Sequence, residues 1–478
     1  MQFSLWQRFL RWATTTSVLA VGGGIYALAL ARGIWPLVIL ILGGALATAV
    51  TLQGPLLITF LWLIGQTTLF VFPNVYLNAI PGATVERALF LTLSGLLFLR
   101  AVFKRGPPER WLPIEVAMAV FLGIVTLSFL RGHMTYMLAD LRSDLALLLD
   151  GYIVPMLGFM LIRRLEWRER HIELLFYLWL VAGVFQGVIG GLKVFFGVTT
   201  FAPTYWGAIH PDRATGTFSN ASEYGAVLSI MLLLALFLYT RAREILHRAA
   251  LLTAMLVILG GILLCKTRAP WVGLVAALAF VYFYDPRTRP VLIVGTVFSL
   301  VAAAVYLPFL IESGLAGERI GELGPIANRL TLWLTSINMA IDNPILGIGS
   351  GATAFTEAKF DYATGIGELS AEWIIGVAAP HNDFFYVLTT TGMIGFVLYV
   401  TILYQAIRIT QTLRTRPEAS PFVAQAAIYA TAAIVNLITN SMFVDLKYFQ
   451  FYNLFVFAVV AVLVGLDGRL RSLRNHTR

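Results

Sequence analysis

The sequence predicts an all-α polytopic integral membrane protein of about 12–14 transmembrane helices, with a large extracytoplasmic loop that contains short helices. Of the 478 residues, 59% are hydrophobic and only 12% are charged, whereas about a quarter of a typical soluble domain is charged. The mean hydropathy is +0.81. The apolar segments are long enough for spanning helices, which need about 20 residues each, and they lack the short alternating pattern of an outer-membrane barrel. A soluble enzyme and a disordered chain are therefore excluded.

Apolar segments predict the spans in chain order. They cover 13–31, 34–52, 54–72, 87–103, 111–130, 150–163, 172–196, 223–240, 249–265, 270–284, 290–310, 382–406, 422–442 and 449–466. The basic N-terminus runs into the first segment without a small-residue cleavage site, which predicts a retained signal anchor. The single cysteine, Cys265, excludes an internal disulfide and any site built from several cysteines.

Basic residues predict the orientation of these spans. Lys and Arg total 34 against 25 Asp and Glu, a net charge of +9, and they cluster at alternate span ends. The clusters are Arg8/Arg11, Arg100/Lys104/Arg105/Arg110, Arg163/Arg164/Arg168/Arg170, Arg241/Arg243/Arg248, Arg287/Arg289, Arg408/Arg414/Arg416 and Arg469/Arg471/Arg474/Arg478. With both termini cytoplasmic, all of them lie inside, as the positive-inside rule requires. The positive charge thus indicates membrane sidedness rather than nucleic-acid binding.

Longer loops then fall on the outer side, at about 131–149, 197–222 and 311–381. The last loop is acidic and is too long to lack structure of its own. The chain divides into four predicted regions. These are N-terminal membrane helices at 1–200, membrane helices with outer-face arginines at 201–310, the large periplasmic loop at 311–381 and C-terminal membrane helices at 382–478.

The large loop contains two predicted short helices. Trp333, Ile337 and Ile341 recur at helical spacing, which predicts an amphipathic helix over 330–342. Asn343 and Pro344 end it, and a second short helix is expected at 352–360.

Three arginines depart from the positive-inside pattern and share the outer side: Arg213, Arg268 and Arg329. A charge near the bilayer is usually paired or functional. Arginine offers a fixed fork of donors that suits phosphate, so three of them would suit a diphosphate. The alternative is that each reaches lipid headgroups or pairs with an acidic loop residue.

Of the six histidines, only His133, His210 and His381 can meet these arginines, because the predicted orientation puts the others inside. Asn382 is a predicted N-cap for a membrane helix, with Asp383 in its first turn. The positive end of the helix dipole disfavours an imidazolium at His381, which leaves a ring able to accept a proton. The negative charge of the nearby Asp383 would instead favour the imidazolium. Gly392 and Gly395 follow on the same predicted helix, where small residues allow close packing.

Motifs for metal and ATP binding are missing from the sequence. No DxD and no adjacent pair of acidic residues occurs, and no GxxxxGK[ST], so the sequence predicts neither a metal, nor a cofactor, nor ATP. A substrate that reacts on the outer side must then arrive already activated.

Together these stretches resemble the O-antigen ligase/polymerase family of bacterial membrane glycosyltransferases. The resemblance rests on TRAPWVGL around Arg268, on NRLTLWLTSINMAIDNPILGIGSGATAF with Arg329 and Trp333, and on His381-Asn382 followed after nine residues by Gly392-x-x-Gly395. RATGTFSN, which begins at Arg213, resembles the stretch before the family core.

The resemblance implies transfer of a glycan from undecaprenyl diphosphate to an acceptor hydroxyl of lipid A-core, on the periplasmic face of the bacterial inner membrane. It implies that Arg268 and Arg329 bind the diphosphate, with Arg213 as an additional contact, and that His381 is the catalytic base. Asn382, Gly392, Gly395 and Trp333 support them. Transfer would be metal-independent and inverting, and the partners would be the lipid-linked glycan, a glycan or lipid A-core acceptor and membrane lipid.

Four other functions stay open. A polymerase of O-antigen or exopolysaccharide, or a protein glycosyltransferase, has similar family motifs. A transporter or flippase of lipid-linked sugars would show internal repeats or broken helices with buried charges. A scaffold would not require arginines and a histidine on one face.

Overall fold

The computed structural model of the chain describes residues 54–68, 84–103, 111–136, 141–199, 212–297, 324–363 and 379–476. Every regular element in these ranges is helical. The α-helices are α1 Pro55–Thr68, α2 Val85–Phe103, α3 Pro113–Tyr136, α4 Leu141–Leu148, α5 Val154–Arg163, α6 Glu169–Phe196, α7 Ala221–Arg241, α8 Ile245–Leu264, α9 Arg268–Tyr284, α10 Gly324–Asp342, α11 Ala352–Tyr362, α12 Asp383–Thr415, α13 Pro421–Ser441 and α14 Gln450–His476. Within the described ranges, eight helices are long and apolar enough to cross a membrane, or nine if a bent pair counts as one span. The predicted fold class is confirmed. The predicted spans 13–31 and 34–52 lie outside the described residues.

Helix α7 lies at the centre of the bundle. Of the apolar 18-residue stretch of α7, 89% is buried inside the protein. The corresponding stretch of α8 is only 22% buried. A helix that is apolar on all sides is stable only when other helices surround it, and α6, α8, α9, α13 and α14 all pack on α7. Helix α8 instead turns apolar side chains such as Leu256 outward, as expected of a lipid-facing helix.

The predicted span 150–163 was drawn too short. The apolar helix extends from Asp144 to Arg163 and includes a π-helical turn at Leu149–Ile153. The predicted span began at Asp150, whose carboxylate is paired inside the protein with Arg87, 2.5 Å away. A charge with a partner in the bundle does not end a span.

A sharp bend separates the two spans predicted at 270–284 and 290–310. Helix α9 is followed by helix Pro286–Val297, which is bent away from it by 112°. Asp285 lies at the bend and is buried, where its carboxylate accepts hydrogen bonds from Gln425 and Tyr429 of α13. The residues after 297 in the second predicted span lie outside the described ranges.

Both predicted helices of the large loop are present. Helix α10 covers the predicted 330–342 and begins earlier, at Gly324, and it ends at Asp342, directly before Asn343 and Pro344. Helix α11 covers the predicted 352–360. Helix α10 packs against α12 and α11.

The orientation of the bundle is a testable prediction. Met442→Cys, at the end of α13, should react with a membrane-impermeant thiol reagent on intact spheroplasts, and Ile245→Cys, at the start of α8, should react only after permeabilisation. Both side chains are exposed, and the natural Cys265 is buried, so background labelling is low. The reason is the one-sided distribution of basic clusters. Labelling of position 245 alone on intact cells would reverse the orientation.

Candidate functional site

The turn that precedes α12 positions His381. Asn382 is the N-cap of α12, and its side chain accepts a hydrogen bond from the Phe385 backbone N–H at 3.2 Å. The predicted cap is thus confirmed. His381 adopts φ +54°, in the left-handed region that non-glycine residues rarely occupy. The side chain is 50% exposed.

Asp445, in the connection between α13 and α14, holds this turn in place. One carboxylate oxygen, Oδ2, accepts the His381 backbone N–H at 3.1 Å, and Oδ1 accepts the Asn382 backbone N–H at 3.3 Å. Oδ2 also lies 3.2 Å from Nδ1 of the His381 ring. Because Asp445 is buried, it is a fixed partner for both the backbone and the ring of His381.

The carboxylate beside His381 is therefore Asp445 and not the predicted Asp383. Asp383 lies in the first turn of α12, but its side chain is directed into the bundle. Its carboxylate accepts hydrogen bonds from the Tyr399 hydroxyl at 2.6 Å and the Leu446 backbone N–H at 3.1 Å. His381 lies in the turn before the N-cap with φ +54°, whereas Asp383 is the first residue of the helix, so the two side chains do not share a face.

Arg329 and Arg268 are electrostatic neighbours. Arg329 lies in the first half of α10, and Arg268 is the first residue of α9. Burial lowers the pKa of Arg329, the positive charge of Arg268 lowers it further, and Asp445 raises it. The structure thus brings two of the three predicted arginines together, next to the carboxylate that contacts His381.

Helix α9, which begins at Arg268, packs closely on α13. A Cβ atom added at Gly273 of α9 would lie 2.3 Å from the side-chain amide of Asn440 on α13. This close approach aligns the start of α9 with the end of α13, from which the chain leads to Asp445.

Arg213 lies beside the turn between α8 and α9. The backbone N–H of Ala214 donates to the Leu264 carbonyl at 2.9 Å, and the charge of Arg213 acts on the nearby Cys265 thiol. Its Nε is buried and has no hydrogen-bond partner among the described residues. The described contacts connect Arg213 to the turn that leads into Arg268, and not to His381.

Trp333 connects α10 to the turn at His381. Its indole N–H donates to the Pro380 carbonyl at 3.1 Å, and its ring packs against Phe385 with centroids 5.6 Å apart. Further along, the Thr389 hydroxyl donates to the Ser336 carbonyl at 3.1 Å. Helix α10 therefore runs alongside the first turns of α12, and Arg329 lies at the His381 end of this contact.

Gly392 interrupts α12. Its φ and ψ of +68° and −169° are not helical, and an added Cβ would lie 2.3 Å from the Ile345 carbonyl oxygen. The Met393 backbone N–H donates to the Pro344 carbonyl at 2.8 Å. The predicted close approach is present, but it is made to the turn after α10 and it breaks the helix. Gly395 lies within the helix after the break and is buried.

The sequence also offered His133 and His210 on the predicted outer side. His133 lies near the end of α3, where its ring stacks on Phe129 at 6.5 Å between centroids. His210 lies outside the described residues.

Lys447 is a buried group that the sequence analysis missed. Its Nζ lies 3.1 Å from the centre of the Tyr386 ring and has no hydrogen-bond partner among the described residues. Burial lowers the pKa of Lys447 to about 7. The negative charges of Asp445, Asp383 and Asp144 raise this pKa, but by less than burial lowers it. The sequence signal was the pair of charges in Asp445-Leu446-Lys447, between the last two spans on the predicted outer side.

Metal ligands do not cluster in the described part of the chain, where no group of three or more His, Cys, Asp or Glu side chains could hold an ion. What the site offers is two neighbouring guanidinium groups, an exposed imidazole and a buried carboxylate behind that imidazole. The guanidinium groups can bind an anion, and the imidazole can accept a proton.

Comparison with known families agrees with the sequence motifs. Residues 253–400 match the family model described as O-antigen ligase, so the resemblance to an O-antigen ligase-like family is confirmed for this stretch. Arg268, Arg329 and His381 lie inside the matched residues, and Arg213 lies before them. No curated protein matches the chain.

Proposed function

We propose that this membrane protein, with its O-antigen ligase-like domain at residues 253–400, transfers a glycan from undecaprenyl diphosphate to an acceptor hydroxyl of lipid A-core. The reaction takes place on the periplasmic face of the bacterial inner membrane, with both termini in the cytoplasm. The observation that carries the proposal is the contact of His381 with buried Asp445, beside the Arg329 and Arg268 pair.

His381 is the proposed base. A carboxylate 3.2 Å from Nδ1 favours the tautomer that carries its proton on Nδ1, which leaves Nε2 as the acceptor. Asp445 also stabilises the imidazolium that forms. The proton of the acceptor hydroxyl moves to Nε2, the acceptor oxygen bonds to the anomeric carbon, and the bond from that carbon to the phosphate oxygen breaks. Attack opposite the leaving group inverts the anomeric configuration.

Arg268 and Arg329 are the proposed diphosphate ligands. When the glycosidic bond breaks, its electron pair passes to the diphosphate, and negative charge grows on the phosphate oxygens. Fixed guanidinium groups stabilise such charge most in a water-excluded site. Burial of Arg329 supports this role. Arg213, at the turn that leads into Arg268, is proposed as an additional contact to the diphosphate or the glycan.

The acceptor distinguishes a ligase from a polymerase of the same family. Purified protein should transfer glycan from the lipid-linked donor to added lipid A-core, and it should do so in excess EDTA, because arginines replace a metal in this proposal. Chain extension of the donor without lipid A-core would identify a polymerase. If the donor is consumed only after Mg²⁺ or Mn²⁺ is restored, the metal-free mechanism is wrong. Vesicles in which the donor changes leaflet without transfer would indicate a flippase.

A further inference from the structure

Lys447, in the connection between α13 and α14, is a fully enclosed lysine. The residue is 1% exposed, and its Nζ has no hydrogen-bond partner among the described residues. The ring centres of Tyr386 and Tyr448 lie 3.1 Å and 4.8 Å from this Nζ, close enough for cation–π contact. Because lysine is almost never fully buried unless it is paired, its position requires a physical reason.

Three buried acidic side chains supply that reason. Asp445, Asp383 and Asp144 are 4%, 1% and 2% exposed, and the negative charge of each acts on Lys447. They come from three parts of the fold, namely the α13–α14 connection, the first turn of α12 and helix α4. Like charges buried together destabilise one another, and the ammonium group of Lys447 offsets this repulsion.

The backbone at Lys447 is fixed from two sides. The N–H of Leu446 donates to Oδ1 of Asp383 at 3.1 Å. On the other side, a Cβ added at Gly151 in the π-helical turn would lie 2.9 Å from the Lys447 carbonyl oxygen. The lysine is therefore held between α12 and the π-helical turn. Since it is buried there, it does not touch a substrate, and any effect on the reaction passes through a neighbour.

Asp445 is the neighbour that contacts the proposed base. Its two carboxylate oxygens accept the backbone N–H groups of His381 and Asn382, and Oδ2 lies 3.2 Å from Nδ1 of the His381 ring. Hydrogen bonds to a charged acceptor are roughly twice as strong as those to a neutral one. A buried charge that loses its partner is costly to keep, so removal of Lys447 would weaken the hold of Asp445 on His381.

We propose that Lys447 is a positioning residue for His381: it balances the charge of the buried carboxylates, so that Asp445 holds the imidazole in place for proton transfer. This inference rests on the proposed function, which makes His381 the base. It assigns to Lys447 an effect on turnover and little effect on donor binding, because the arginines that hold the diphosphate lie on α9 and α10.

The test is a double-mutant cycle of Lys447→Met and Asp445→Asn, with turnover and donor affinity measured separately on purified protein. Each single variant should lower turnover at least about tenfold and leave affinity for the lipid-diphosphate donor within about threefold of wild type. The double variant should lose less than about threefold more than the worse single variant, because Lys447 acts through Asp445. Lys359→Met is the matched control, since Lys359 of α11 is also a buried lysine, and it should keep near-normal turnover.

Each outcome decides one question. Near-normal turnover in Lys447→Met would overturn the proposal. Losses that multiply to about 100-fold in the double variant would overturn it too, because independent effects add as free energies and Lys447 would then not act through Asp445. An equal loss in Lys359→Met would reduce Lys447 to one of several buried lysines that the fold requires. If wild type transfers no glycan to any acceptor, the proposed function fails, and this inference fails with it.

A second measurement does not depend on whether Lys447→Met folds. The pKa of Lys447 is about 7, so its positive charge is lost as the pH rises through this value. Wild-type turnover should therefore fall at least about fivefold between about pH 7 and about pH 9, and Asp445→Asn should lack this fall. The titratable groups that face Lys447 are Asp445 and Tyr448 of the same connection, Asp383 and Tyr386 of α12 and Asp144 of α4. Constant wild-type turnover over this range, or the same fall in Asp445→Asn, would overturn the proposal.

Discussion

Replacing His381 by alanine should lower turnover at least about 100-fold, the lower end of what a positioned general base contributes. Affinity for the lipid-diphosphate donor should change little, because the arginines and not the imidazole hold the diphosphate. The measurement is donor affinity and single-turnover rate, determined separately on purified protein.

Two further variants control this experiment. His381→Asn should lose as much turnover, and asparagine tolerates the positive φ of this turn, so the loss cannot be ascribed to a disrupted backbone. His133→Ala, in the last turn of α3, should keep near-normal turnover. If His381→Asn also keeps near-normal turnover, His381 is not the base, and His210 becomes the candidate.

Arg329→Ala should weaken donor binding roughly 10- to 100-fold, because a hydrogen bond to a charged group contributes about 1.5–3 kcal/mol. Arg268→Ala should act in the same direction, and turnover at ordinary donor concentration should be lost in both. Lysine should rescue either position poorly, since an ammonium cannot reproduce the bidentate fork. Calorimetric or fluorescence titration with the lipid diphosphate measures the effect.

The control for the arginines is Arg131→Ala. Arg131 is exposed near the end of α3 and contacts only the side chain of Asn343 in the described hydrogen bonds, at 3.4 Å. Its removal should leave donor affinity within about twofold of wild type. An equal loss at Arg131 would mean that binding depends on general positive charge, and unchanged binding in Arg329→Ala would remove Arg329 from the diphosphate site.

Local signals predicted the local structure of this site. The cap at Asn382, the helix over 330–342 and its end at Asn343 all follow from residues within one or two helical turns, where side-chain chemistry and spacing decide the backbone. These predictions are confirmed.

The partner of His381 could not be predicted in this way. Asp445 is 64 residues away in the chain, and it reaches His381 because α12 and α13 pack side by side. Asp383 is nearer in sequence, but its carboxylate accepts hydrogen bonds from Tyr399 and from the Leu446 backbone instead. The proximity of Arg268 to Arg329 likewise depends on how α9 and α10 pack on the other helices, which hydropathy does not encode.

The N-cap at Asn382 and the break at Gly392 together fix the length of the first part of α12. Nine residues lie between them, about 14 Å of helix at 1.5 Å per residue. One end is tied to Asp445 and Met442, and the other is tied to Pro344. A single-residue insertion or deletion would rotate one end by about 100° and break one of the two attachments. Loop lengths elsewhere can vary, whereas this interval sets the distance between the imidazole and the end of α10, and its length is as much a part of the site as any side chain.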